Sequence, residues 1–134
     1  MVRASGGPSR SPGPRAALAL GLDVLAVAVF TLVGRSTHKE PLDLGGWWST
    51  AWPFLAGLAL GWVLVLALAR TPPTGMGHGL PVWVTTVTAG MALRAVSGQG
   101  TAVPFVVVAT LFLGATLLGW RLVSRLRGRR GSSG

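Results

Sequence analysis

Four apolar runs dominate this sequence, and each is about as long as a helix needs to be to cross a membrane. They cover about residues 16–34, 49–69, 80–97 and 101–120; a hydrocarbon core takes ~20 residues at 1.5 Å per residue. Asp23 is the single acidic residue inside any of them. Charged residues make up only 11% of the chain, against roughly 25% in a soluble domain, so water is not its main solvent. The expectation is an all-α membrane protein, with four transmembrane helices in one compact bundle over residues 16–123. Residues 1–15, rich in Ser, Gly and Pro, form a basic tail that cannot bury enough apolar surface to order itself. Residues 124–134 form a second basic, flexible tail.

The formal charge of +9 would suit a nucleic-acid binder, but the placement of the arginines does not. They stand at the chain ends and between the apolar runs, where basic residues orient a membrane protein and attract anionic lipid. With both ends inside, the cytoplasmic side receives Arg3, Arg10, Arg15, Arg70, Arg121, Arg125, Arg127, Arg129 and Arg130. The outer side receives Arg35, Lys39 and Arg94. That split predicts an N-in, C-in protein of the plasma membrane, crossing it several times. Trp47, Trp48 and Trp52 would mark the outer interface and Trp83 and Trp120 the inner one, with Trp62 deeper as a packing residue. The absence of cysteine excludes disulfides, thiol nucleophiles, Cys-ligated zinc and iron–sulfur clusters, and no cofactor is expected. The implied partners are the bilayer itself, anionic headgroups at the basic tails, and either a second copy or another membrane protein.

An intramembrane carboxylate costs on the order of 2.5–3.5 kcal/mol and needs a partner, a proton or a wet cavity. Helical spacing puts Ala16, Ala19, Asp23, Ala26 and Phe30 on one side, and such small residues let helix backbones approach closely in lipid. Asp23 therefore faces other helices. It serves either as an interhelical contact or, alternatively, in proton or ion handling. Its candidate partners are Arg121, at the inner end of the fourth run, and Arg94, on the polar face of the third. Depth slightly favours Arg121; both stay open. A second constellation, Arg35, His38 and Arg94, would gather at the outer face and suit an anion or lipid headgroup. A metal site at His38, Glu40 and Asp43 is conceivable but not adopted, since His78 falls on the opposite face.

Gly57 and Gly61 form a GxxxG packing face in the second run, and Pro53 falls in that run's first turn, where a missing N–H costs little. The third run carries Thr85, Thr86, Thr88 and Arg94, and a helix this polar is expected inside the bundle. The second and fourth runs both contain Pro-Phe and then Gly-Trp (Gly61-Trp62, Gly119-Trp120), a weak internal echo. There is no Ser-His-Asp set, phosphate-binding loop, HExxH or dinucleotide fingerprint.

Together, Asp23, Gly34-Arg35-x-x-His38, Trp52-Pro53-Phe54, Gly61-Trp62, Arg94 and Gly119-Trp120-Arg121 resemble the domain-of-unknown-function family 3054. The likeness covers roughly residues 18–122. It implies a small integral membrane protein of bacterial or archaeal type, and brings no activity, substrate or catalytic residue. The functional expectation is a non-catalytic membrane component, acting in accessory, assembly or lipid-interacting roles. The alternative is a small oligomeric transporter or channel using Asp23 and the intramembrane arginines.

Overall fold

The computed structural model describes residues 13–37 and 44–132, with side chains described for 13–35 and 44–128. They form four α-helices: α1 (Pro14–Thr37), α2 (Leu44–Ala69), α3 (Met76–Val96) and α4 (Val103–Ser132). All four are long and apolar enough to cross a membrane. α1 opens on Pro14, whose missing N–H and fixed φ suit a first helical position. Each helix packs on its sequence neighbours, and α1 closes the ring on α4. Consecutive helices run antiparallel, so the start of α1, the 70–75 turn and the end of α4 share one end of the bundle. The end of α1, the start of α2 and the 97–102 turn share the other.

Two boundaries differ from the sequence expectation. α2 begins at Leu44, so Pro53 is the tenth residue of a continuous helix and does not sit in its first turn. Its ring cannot donate to the carbonyl four residues back, Ser49. The Gln99 side chain supplies that bond from the α3–α4 turn, with Nε2 donating to Ser49 O at 3.0 Å. At the other boundary, α4 continues past Trp120 to Ser132, so residues 124–132, read from sequence as flexible tail, are helical here. Leu122, Val123, Leu126 and the intervening arginines are good or tolerable helix formers. At 30 residues, α4 is about 45 Å long, well beyond a ~30 Å hydrocarbon core.

Gly57 and Gly61 lie against α3 within the chain. A Cβ at Gly57 would stand 2.8 Å from the Thr86 carbonyl oxygen, and one at Gly61 would stand 3.2 Å from Val82 Cα. Across the same interface the Phe54 ring fills the space that a side chain at Gly90 would need. Around Phe30, the rings of Phe54, Phe105 and Phe112 gather, with paired centroids 5.3–6.1 Å apart, a spacing typical of favourable aromatic pairs. The third helix is not the most enclosed. Only 22% of its membrane-length window is buried, against 44% for α2. Its threonines do not require an interior position, because Thr86 and Thr88 donate back to the carbonyls of Val82 and Val84 on their own helix.

Candidate functional site

Asp23 is the tenth residue of α1, fully buried, on the face that also carries Ala19 and Ala26. Arg121 reaches it from α4, equally buried. The pair is bidentate: Nη1 donates to Oδ1 at 2.9 Å and Nη2 to Oδ2 at 2.8 Å, the geometry that makes Arg–carboxylate contacts strong and directional. Each carboxylate oxygen accepts a second bond, from Trp120 Nε1 at 2.7 Å on Oδ1 and from Trp62 Nε1 at 2.8 Å on Oδ2.

The guanidinium is equally occupied. Nε and Nη2 donate to the Pro73 carbonyl at 3.1 and 2.6 Å, and Nη1 donates to Leu117 O at 2.8 Å. A carboxylate offers about four acceptor positions and a guanidinium five N–H donors; here all are used. The Trp120 ring also lies against Arg121, 4.4 Å from centroid to Cζ, a cation–π distance. The third helix takes part through Gly79, where a Cβ would fall 2.6 Å from Arg121 Cδ. One ion pair thus ties α1, α2, α4 and the α2–α3 turn, and α3 leaves room for it.

Of the two candidate partners for Asp23, Arg121 touches it and Arg94 lies at the opposite end of the bundle. Arg94 donates from Nε to Gly100 O at 3.0 Å and from Nη1 to Gln99 Oε1 at 2.9 Å. Its Cζ sits 4.2 Å from the Phe105 ring centroid. Sequence reasoning missed three parts of the arrangement: Trp62 and Trp120 as donors to Asp23, the Pro73 carbonyl, and the space at Gly79. The two Gly-Trp doublets held the one available signal, since both place an indole N–H on the same carboxylate.

At the far end, Arg35 donates from Nη1 to Thr50 Oγ1 at 3.0 Å. Arg35 and Arg94 line one cleft of about 850 Å³, as do Thr50 and Gln99. The cleft continues between α1 and α4 over Phe30, Val108 and Phe112, so an apolar trough ends in a polar rim. His38, the third member expected there, lies outside the described residues, as do Glu40 and Asp43. Among the described residues no three His, Cys, Asp or Glu side chains gather as a metal site.

No curated protein and no solved structure matches this chain. The family profile described as "Protein of unknown function (DUF3054)" matches residues 20–124, a stretch that includes Asp23, Trp62, Pro73, Trp120 and Arg121. The chain belongs to this family.

Proposed function

We propose that this protein is a non-catalytic component of the cell membrane, with both termini cytoplasmic, that holds lipid in the cleft at its Arg35–Arg94 end. The observation that carries this reading is the closed valence of the Asp23–Arg121 pair. A proton carrier or ion-binding carboxylate needs a vacant position. Here every acceptor and donor is engaged by the frame, so the pair acts as a staple between helices. The lipid part draws on the 850 Å³ trough, whose lips Val33 and Val108 are exposed and would open sideways onto acyl chains. The orientation draws on Arg15, Arg70, Arg125 and Arg127, all at the end that holds the start of α1.

Two measurements test the proposal. In this Cys-free chain, a Cys replacing Ser36 should react with an impermeant thiol reagent in intact cells, and one replacing Gly77 only after lysis; the reverse pattern contradicts the orientation. For the cleft, native mass spectrometry from mild detergent should show retained lipid, with retention lost in Val108→Trp, where the larger ring fills the trough. An ion flux in proteoliposomes that disappears with Asp23→Asn would contradict the non-catalytic reading.

A further inference from the structure

The three acidic side chains of the chain are Asp23, Glu40 and Asp43. Asp23 is consumed by Arg121. Glu40 and Asp43 fall in sequence between α1 and α2 and lie outside the described residues. The end that holds the start of α1 carries Arg15 on α1, Arg70 after α2, and Arg125 and Arg127 on α4. Among the described residues, no acidic side chain stands there to answer them. A fixed concentration of cations at a membrane surface draws its counter-charge from the membrane.

The shape of this end narrows where that counter-charge sits. A cleft of about 440 Å³ opens between α1 and α4, lined by Arg15 from α1, Arg125 from α4, and Thr74 to Gly77 from the end of the α2–α3 turn and the start of α3. Gly77 and Gly128 are among its lining residues, and the space above each is open, since a Cβ at either would meet nothing within 4 Å. Its back wall is Trp120, held in place by its bond to Asp23. Arg121 and Arg125 fall one helical turn apart, so the first turns inward to the carboxylate while the second stays exposed on the same face of α4. Leu18, 65% exposed, stands at the membrane side of the same cleft, where an acyl chain would continue from a headgroup.

We propose that this cleft is a binding site for an anionic phospholipid, with Arg15 and Arg125 on the phosphodiester and Leu18 and Trp120 along the start of its acyl chains. Two guanidiniums from different helices match a phosphate's geometry as lysines would not, and the apolar wall selects a lipid over a free anion. The proposal rests on the membrane-spanning reading of the chain, and on neither its orientation nor the Arg35–Arg94 cleft.

The test is a lipid titration of the full-length protein in mild detergent, read by native mass spectrometry and by thermal unfolding. The probes are phosphatidylglycerol, phosphatidylcholine and inorganic phosphate. Phosphatidylglycerol should bind and raise Tm, and the other two should not. Arg15→Gln with Arg125→Gln should weaken phosphatidylglycerol binding about tenfold, the loss of two solvent-exposed ion pairs. Arg70→Gln with Arg127→Gln removes the same charge from the same end outside the cleft, and should leave binding near the wild-type level. Should the first double variant unfold in phosphatidylcholine, Arg125→Glu alone provides the same reading by repelling the phosphate. Equal losses from both double variants would reduce the effect to general surface electrostatics, a gain reproduced by inorganic phosphate would make the site one for free anions, and equal gains from phosphatidylcholine would remove the role of charge. Each of these outcomes overturns the proposal.

Discussion

A carboxylate in lipid is tolerable only when its charge and its lone pairs are both answered, and Asp23 meets both demands. Arg121 balances the charge, while two indoles fill the remaining acceptor positions. The indoles are the simplest parts to remove. Trp62→Phe retains an aromatic side chain, though a smaller one, and deletes one donor to a buried carboxylate, a loss of at least about 1–3 kcal/mol; it should lower Tm in detergent while leaving the helical circular dichroism unchanged. Gly79→Ala should be at least as damaging, because its Cβ would sit 2.6 Å from Arg121 Cδ and push the guanidinium off Pro73 O. The charged pair could be anticipated from sequence, since an intramembrane acid demands a base at similar depth. The rest could not: a backbone carbonyl such as that of Pro73 carries no residue signature, and an indole reads as packing until its N–H is aimed.

The helices show how proline and glycine act as paired features in this bundle. Pro53 leaves the Ser49 carbonyl without its helical donor, and Gln99 supplies one from another element. Gln99→Leu should therefore destabilise the protein modestly, by about 0.5–1.5 kcal/mol, since the bond is exposed. In a Pro53→Ala background, whose restored N–H can reach Ser49 O, the same substitution should cost clearly less; equal costs in both backgrounds would mean that Gln99 acts through Arg94 instead. At the α2–α3 contact, Gly57→Ala sets a methyl 2.8 Å from the Thr86 carbonyl oxygen, so it should separate the two helices and lower Tm. The number of helices and the rough spans were legible in the apolar runs. The start of α2 was not, because Leu44 to Trp48 looks like an interfacial loop by composition. The length of α4 was hidden by arginines that serve a tail and a helix equally well.

At the scale of the whole molecule, the ring of four antiparallel helices has two distinct ends. One is a cleft whose arginines bond to α2 and to the 97–102 turn; the other is rich in arginine and, among the described residues, has no acidic side chain beyond the one already paired. Between them lies the ion pair, reached by α1, α2, α4 and the α2–α3 turn, a staple between the helices of the bundle. A double-mutant cycle on that pair tests this most directly, using thermal unfolding of wild type, Asp23→Leu, Arg121→Leu and the double variant in one detergent. Removing one member of a buried pair costs on the order of 3–5 kcal/mol in water-soluble proteins, and less where lipid offers the unfolded state other partners. If the pair is the staple, each single variant shows a large fall in Tm, and the double variant is more stable than the sum of the two losses. Additive losses, or an Asp23→Leu protein as stable as wild type, would contradict that role.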